Sequence, residues 1–254
     1  MKIQYASDLH LEFVDNVDYL KANPLEVAGD ILVLAGDTIY LGDRMEDAGW
    51  FFNWCSRNFK QTYIVPGNHE YYGHYPMENT MYDWDLRVRN NVTYINNKSV
   101  VIGNTEIFFT TLWTHIPAEE AYTIAKIMND CRNNRYEGRG FATRTWNKVH
   151  RECLLWLQSA VEASSAEHKM VVTHHCPYIN DVAEHYVGRL ARAAYMVDVL
   201  PLFAGSKIDH WIHGHVHIPM QSLSGKPQIH SNPMGYVDDG ENRDFRRDAV
   251  IELQ

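Results

Sequence analysis

The sequence predicts an α/β fold in which two mixed β-sheets pack together and helices cover their outer faces. Three observations lead to this prediction. Residues 30–35 (DILVLA) form a nearly continuous apolar run, which is typical of a strand buried on both faces. Early strands alternate with helices, whereas later strands follow one another more closely. Residues 143–163 form an amphipathic helix with an apolar stripe at Trp146, Val149, Cys153, Trp156 and Leu157.

The first half of the chain gives its elements in a regular order. Residues 2–6 predict a strand, and residues 44–58 predict a helix because aromatic side chains recur there at helical spacing. Residues 62–65 (TYIV) form an apolar strand that is followed by proline, glycine and polar residues. Residues 77–90 predict a second helix. Residues 92–112 predict consecutive short strands, because turn residues separate their apolar stretches.

The second half begins with a polar segment, residues 114–142, which is rich in Arg and Asn and only weakly periodic. We expect this segment to be an insertion or lid over one face, with a helix at 118–131. After the long amphipathic helix we expect a strand at 169–173, a helix near 190–204, a strand at 208–212, and strands at 226–231 and 247–253 that close a second sheet. The sequence contains no internal repeat, low-complexity stretch or flexible linker, so residues 1–254 predict one domain.

The composition argues against several function classes. A formal net charge of −9 would repel a phosphate backbone, so we do not expect long nucleic acids as partners. Apolar runs are shorter than the roughly 20 residues of a membrane-spanning helix, so we expect no membrane partner. The first residues predict a strand rather than a signal peptide, and the four cysteines are scattered without a CxxC pair. We therefore expect reduced thiols and a cytoplasmic location.

Five predicted strands are followed by residue types that bind metals. The carboxyl ends of strands in α/β folds converge on one crevice, so these side chains are expected to lie together. If the segments are extended, residues i and i+2 point the same way, which would aim each DxH or HxH pair at a common centre. The motifs are DLH (Asp8, His10), GD (Asp37), GNHE (Asn68, His69), THH (His174, His175) and GHVH (His215, His217).

Imidazole and carboxylate groups without thiolate suit Mn, Fe, Zn, Co or Ni better than a structural zinc site. The seven candidate ligands are more than one tetrahedral ion needs, but two ions that share a bridging carboxylate would use them all. Two ions about 3.5–4 Å apart are an established arrangement for phosphoester hydrolysis.

In this order, from residue 8 to residue 217, the five motifs resemble those of the calcineurin-like metallophosphoesterase family. The resemblance implies a four-layer α/β/β/α sandwich and hydrolysis of a phosphoester that depends on two divalent cations, with manganese favoured. His69 resembles the family's non-ligand histidine, which protonates the leaving alkoxide or orients the phosphate. The resemblance implies one metal on Asp8, His10 and His217, a second on Asn68, His174 and His215, and a bridge at Asp37.

Each of these residues also has a simpler interpretation. Asp8 could be a solvated loop carboxylate, Asp37 a helix N-cap and Asn68 a turn residue. Their joint occurrence favours metal ligation instead. His174 and His175 are alternatives for one ligand position, and the family motif favours His174.

The other histidines considered have no motif support. We expect His213 to be packed or to support a ligand from behind. His150 and His210 are expected to be structural, whereas His115 and His185 are candidates for the wall of a cleft.

The leading functional prediction is a phosphoesterase that acts on a small phosphorylated substrate, either a monoester or a diester. The alternatives are a nuclease or nucleotide pyrophosphatase on the same fold, and a non-catalytic scaffold for protein interactions. The intact ligand set argues against a scaffold, and the acidic balance argues against long nucleic acids. Substrate choice is expected to depend on the 114–142 insertion. Its Arg132, Arg135 and Arg139 could reach a phosphate, although a solvated face is favoured.

Overall fold

The structure is a computed structural model that describes residues 1–73, 75–179, 188–221, 225 and 227–253. Its strands are β1 (Lys2–Ala6), β2 (Ile31–Leu34), β3 (Gln61–Ile64), β4 (Trp84–Arg89), β5 (Val92–Asn96), β6 (Lys98–Ile102), β7 (Thr105–Thr110), β8 (Arg135–Tyr136), β9 (Arg139–Gly140), β10 (His168–Thr173), β11 (Ile208–Ile212), β12 (Met220–Gln221), β13 (Gln228–Ser231) and β14 (Val250–Glu252).

The helices among these residues are α1 (Val14–Ala22), α2 (Gly49–Asn58), α3 (Ala121–Ile127), α4 (Asp130–Asn133), α5 (Thr143–Ala163) and α6 (Arg192–Tyr195). Short 3₁₀ turns lie at Gly42–Ala48, His69–Tyr71, Met77–Met81, Leu200–Phe203 and Glu241–Asp244. Within the part of the chain that the structure describes, no helix is both long and apolar enough to cross a membrane.

Two six-stranded sheets carry the fold. The first has the order β14-β1-β2-β3-β5-β4, with a parallel centre and an antiparallel strand at each edge. The second has the order β12-β13-β11-β10-β7-β6 and the same arrangement. The prediction of two mixed sheets is therefore confirmed, and in each sheet the carboxyl ends of the parallel strands lie at the same end.

The apolar clusters give the order of the layers. One cluster fills the space between the sheets and includes Val33 of β2 and Phe109 of β7. Because successive residues of a strand face opposite ways, Leu34 of β2 packs outward in the cluster that contains α2. On the other side, Val171 of β10 packs with Leu157 of α5. The layers are helix, sheet, sheet and helix, which confirms the four-layer α/β/β/α sandwich.

The helix expected at 77–90 is wrong. A 3₁₀ turn is followed by β4, which pairs antiparallel with β5 at the edge of the first sheet. Trp84, Leu86 and Val88 pack against the core, while the intervening Asp85 and Arg87 are exposed. Apolar residues at every second position are typical of an edge strand with one buried face, and this alternation explains why the segment is a strand.

Two expectations for the C-terminal third are also wrong. The long helix near 190–204 is replaced by α6 and a separate 3₁₀ turn, because Pro201 cannot continue a helix and Met196 is extended. The strand within 247–253 does not close the second sheet. It is β14, which pairs with β1 of the first sheet through Ile3 and Ile251, and both of these side chains enter the core between the sheets.

The 114–142 segment contains α3, α4 and the β8–β9 hairpin rather than one helix at 118–131. Its apolar residues Ile116, Ile124, Met128 and Phe141 share a cluster with Trp146 of α5. The segment is therefore anchored on the long helix through a small core of its own.

Candidate metal centre

The loops after β1 and β11 bring three predicted ligands together. Asp8 Oδ1 lies 3.4 Å from His217 Nε2, and the same nitrogen lies 3.1 Å from His10 Nε2. We call these three residues the first cluster. All of them are buried or nearly so.

The loops after β2, β3, β10 and β11 form a second cluster around His174. Its Nε2 atom lies 2.9 Å from Asn68 Oδ1, 3.1 Å from His215 Nδ1 and 3.4 Å from Asp37 Oδ2. Asp37 Oδ2 also lies 3.8 Å from His10 Nε2, so this carboxylate stands between the two clusters.

Hydrogen bonds outside the first cluster determine where its protons are. His10 Nδ1 contacts Glu12 Oε1 at 3.0 Å, and His217 Nδ1 contacts Glu241 Oε2 at 2.6 Å. Carboxylates accept, so both Nδ1 atoms carry a proton, and Nε2 is the nitrogen of each ring that is left to bind either a second proton or a metal cation. These two Nε2 atoms lie 3.1 Å apart, so a proton or a metal cation must separate their lone pairs.

The second cluster has the same character. His174 Nδ1 donates to the Ala35 carbonyl at 2.9 Å, so its Nε2 lone pair faces the oxygens of Asn68 and Asp37. The buried Nε2 of His215 has no hydrogen-bond partner among the described residues. A converging set of imidazole nitrogens and carboxylate and amide oxygens fits divalent transition metals.

The local field also favours positive charge. Burial alone would lower the pKa of His174, but the Asp37 and Asp8 carboxylates raise it to about 9. Burial likewise opposes protonation of His217, yet Asp8 and Glu241 raise its pKa to about 10. Metal cations and protons compete for such nitrogens, so the same carboxylates would favour a bound cation.

The backbone at these ligands is left-handed rather than extended. The φ angles are 54° at Asp8, 47° at His10, 52° at Asp37, 70° at His215 and 49° at His217. Such angles cost a non-glycine residue on the order of 1–3 kcal/mol and occur where function requires them. Asp8 and His10 do face a common centre, whereas His215 and His217 face different clusters. The extended backbone expected at both pairs is wrong.

The glycine of the GNHE motif lets the loops approach each other closely. A Cβ atom at Gly67 would overlap Asp37 Oδ1 and would lie 2.8 Å from His174 Cε1. Any side chain here must therefore displace two ligands of the second cluster.

We expect Gly67→Ala to lower metal affinity and turnover by about 10–100-fold, as other changes to the surroundings of metal ligands do. Metal content and phosphoester hydrolysis measure the effect. Gly205→Ala is the matched control, because a Cβ at Gly205 meets no atom within 4 Å. Equal metal content in the two variants would contradict this account.

Two glutamates that the sequence interpretation gave no role, the buried Glu12 and the partly buried Glu241, hold the histidines. Glu12 Oε1 accepts from His10 Nδ1 and from His69 Nδ1, the latter at 2.8 Å. Glu241 accepts from His217 Nδ1 and from the backbone N–H of Tyr236 at 2.7 Å. Glu12 follows His10 by two residues and could have been found from that spacing, whereas Glu241 gives no local signal.

A third glutamate fixes the loops themselves. Glu70 is fully buried and accepts backbone N–H groups from Asp37 at 2.9 Å, Thr38 at 2.7 Å and Gly67 at 2.7 Å. Burial and the Asp37 carboxylate raise its pKa to about 8, while the N–H donors oppose this shift. Glu70 is the last residue of the GNHE motif, and the three backbone N–H groups that it accepts explain why a side chain with two acceptor oxygens stands there.

His69 lies at the border of the first cluster. It comes within 4.8 Å of ligand atoms of His10 and Asp37, but its Nδ1 donates to Glu12 and its Nε2 lies 3.5 Å from Tyr236 Oη. Burial would lower its pKa, but the Asp37 and Glu12 carboxylates raise it to about 9. The ring stacks on Tyr72 at a centroid distance of 4.4 Å.

The neighbouring histidines lie behind the clusters. His175 packs between Trp113 and His215, with ring centroids 5.0 Å and 4.3 Å away, and its Nδ1 lies 3.3 Å from the Thr111 carbonyl. His213 is fully buried, and its Nδ1 lies 3.0 Å from the Gly214 carbonyl.

The remaining candidates are distributed elsewhere. His150 Nδ1 lies 3.0 Å from the Leu112 carbonyl, His210 Nδ1 lies 3.1 Å from His230 Nε2, and His115 is exposed. His185 lies outside the described residues. The three arginines of the insertion are exposed and do not line the cavity beside the metal clusters: Arg132, Arg135 and Arg139.

A cavity of about 300 Å³ opens onto both clusters. Asp37, His69 and His217 contribute to its floor, while Ile127 and Asp130 of the 114–142 segment contribute to its wall. Among the described lining residues there is no lysine or arginine.

Comparison with known proteins decides the family. The model for "Calcineurin-like phosphoesterase" matches residues 1–219, which include every predicted ligand. The chain belongs to the calcineurin-like phosphoesterase family. Like this family, it is a metal-dependent phosphoester hydrolase.

Two proteins illustrate what this calcineurin-like phosphoesterase is similar to. "Uncharacterized protein L509" of Acanthamoeba polyphaga mimivirus is 25% identical over 276 residues, which cover 99% of this chain and 96% of that protein. The crystal structure of phosphopantetheinyl hydrolase (PptH) from Mycobacterium tuberculosis superposes with a TM-score of 0.71 at 17% identity, covering 95% of this chain and 92% of that one. The second similarity shows a common fold.

Proposed function

We propose that the chain hydrolyses a small phosphorylated substrate with the help of two divalent cations, of which manganese is favoured. The observation that carries the proposal is that nitrogen and oxygen ligand atoms converge in two adjoining clusters, with Asp37 between them. A single cation would leave one of these clusters uncompensated.

The proposed ligand roles follow the two clusters. Cations held there would acidify a water molecule and neutralise charge on the phosphoryl oxygens. Asp37, between the clusters, would bridge them. The first cation would be held by Asp8, His10 and His217, and the second by Asn68, His174 and His215.

His69 is proposed as the group that gives a proton to the leaving oxygen. Its Nδ1 is occupied by Glu12, so Nε2 is the nitrogen that faces the cavity. The Asp37 and Glu12 carboxylates raise the pKa of His69 against the effect of burial, which favours the protonated ring that a proton donor requires. Cations beside Asp37 would offset the part of this shift that Asp37 supplies. Glu12 orients the ring and balances its charge.

The cavity supports a small substrate. Its volume of about 300 Å³ is at the lower end of ligand sites, which span roughly 300–1,000 Å³. Since the described lining offers no lysine or arginine, the bound cations would have to balance the charge of the phosphoryl group. A long polyanion would need further positive charge along its path.

The direct test compares p-nitrophenyl phosphate and bis-p-nitrophenyl phosphate, each with added Mn²⁺ and with chelator. We expect turnover of at least one ester that chelator abolishes and Mn²⁺ restores. The preferred ester identifies a monoesterase or a diesterase. Turnover that survives complete metal removal would contradict the proposal, as would a protein that binds two metals but hydrolyses neither these esters nor a wider panel of phosphoesters.

A further inference from the structure

The 114–142 segment places one carboxylate in the wall of the metal cavity. Asp130, the first residue of α4, is only 1% exposed, and neither of its carboxylate oxygens has a hydrogen-bond partner among the described residues. A buried carboxylate without partners is costly, so a folded protein rarely retains one without use. The segment that carries it also lines the cavity through Ile127 and Met128.

Asp130 lies in the same cavity as the metal clusters but is not a member of either. Among the described residues, it does not belong to any of the groups whose possible ligand atoms lie within 4.8 Å of one another. Burial raises the pKa of Asp130 to about 6, and the neighbouring His69 and Asn68 oppose this rise. The carboxylate also acts on two tyrosines that line the cavity. Burial and then the Asp130 charge raise the pKa of Tyr195 to about 12, and the same two causes raise the pKa of Tyr72.

The position of the Asp130 carboxylate limits which part of a substrate can lie against this wall of the cavity. A phosphoryl group is anionic and would be repelled by Asp130, so it belongs at the metal clusters. The part of the substrate that faces Asp130 must instead offer a hydrogen-bond donor, because the carboxylate can only accept. None of the described residues that line the cavity donates a hydrogen bond to the Asp130 carboxylate.

We infer that Asp130 selects phosphoesters whose alcohol portion carries a hydroxyl or ammonium group close to the ester oxygen. The inference rests on the proposed hydrolysis at the metal centre and names the substrate class for that site. An alcohol portion with a second phosphate is disfavoured for the same electrostatic reason.

Three isosteric monoesters test the inference: n-propyl phosphate, 2-hydroxyethyl phosphate and 2-aminoethyl phosphate, which end in methyl, hydroxyl and ammonium groups. If the enzyme is a diesterase, the p-nitrophenyl diesters of the same alcohols replace them. We expect Asp130→Asn and Asp130→Ala in the Mn²⁺-loaded protein to lower kcat/KM for the hydroxyl ester relative to the propyl ester by about tenfold. For the ammonium ester the relative loss is expected to be up to about a hundredfold, because its hydrogen bond to a carboxylate joins two charges.

Asp18→Asn, which removes one exposed carboxylate from α1, is the control for net charge and should leave the three ratios unchanged. Thermal unfolding gives a second measurement. Removing a buried carboxylate without partners should raise the Tm of Asp130→Asn by a few degrees.

Equal losses for all three esters in both Asp130 variants, with a lower Tm, would show a structural role and overturn the inference. Loss of a bound metal from Asp130→Asn would make the residue a ligand and would also overturn it. Failure of the proposed function looks different. In that case the wild-type protein itself would show no metal-dependent turnover of any phosphoester, and the inference would fall with it.

Discussion

Replacement of Asp37 by Asn is expected to remove at least one metal ion and to lower turnover by about a thousandfold or more. The carboxylate lies 3.4 Å from His174 Nε2 in one cluster and 3.8 Å from His10 Nε2 in the other, so both clusters lose its charge. Metal ions supply several kcal/mol of transition-state stabilisation in such sites, which corresponds to this factor. Metal content and kcat on the preferred ester are the measurements.

Asp30→Asn is the matched control because Asp30 precedes β2 at its opposite end and binds Lys60 at 2.8 Å on the surface. Its metal content and activity should equal those of the wild type. Near-normal activity of Asp37→Asn with both metals bound would refute the bridging role.

Replacement of His69 by Ala is expected to keep both metals and to lower activity by roughly 10²–10⁴-fold for esters with poor leaving groups. Esters with good leaving groups should suffer much less, because their oxygens need no proton at departure. A series of aryl and alkyl phosphates, plotted against leaving-group pKa, measures this difference. His115→Ala, at an exposed histidine outside the cavity, is the control.

A loss that is the same for every leaving group would assign His69 to orientation of the phosphate instead of proton donation. The geometry favours proton donation for a specific reason. Glu12 holds Nδ1 at 2.8 Å and thereby aims the other nitrogen at the cavity, as a proton donor requires.

Much of this site could be predicted because its ligands follow buried strands. Asp8, Asp37 and Asn68 come directly after strands of the first sheet, and His174 and His215 come after strands of the second. The carboxyl ends of parallel strands lie at one edge of a sheet, so the positions of these residues in the sequence implied that their side chains lie close together. The structure brings all seven predicted ligands into two adjoining clusters.

Other features depend on long-range contacts that local sequence does not encode. Glu241 reaches His217 from a 3₁₀ turn 24 residues away, and nothing in its neighbours indicates that partner. The pairing of β14 with β1 joins segments far apart in the sequence, and the apolar Val250 and Ile251 would have suited either sheet. The left-handed backbone at Asp8 and His10 was equally hidden, because neither residue type requires it and no glycine marks these positions.

The errors at 77–90 and 190–204 have a different origin. In both segments a local sequence feature indicates the observed structure. Alternation in WDLRVR marks an edge strand, and Pro201 marks the interruption of a helix. A helix interpretation fails at 84–89 because apolar residues alternate there with polar ones, and at 190–204 because Pro201 cannot continue a helix.

The number of metal ions per active chain tests the central claim most directly. The measurement is Mn²⁺ titration of the metal-free protein, with bound metal determined by elemental analysis and phosphoester turnover followed at each step. The account predicts two bound ions per chain and turnover that reaches its maximum only with the second. Full turnover at one ion per chain, with no second ion bound, would contradict it.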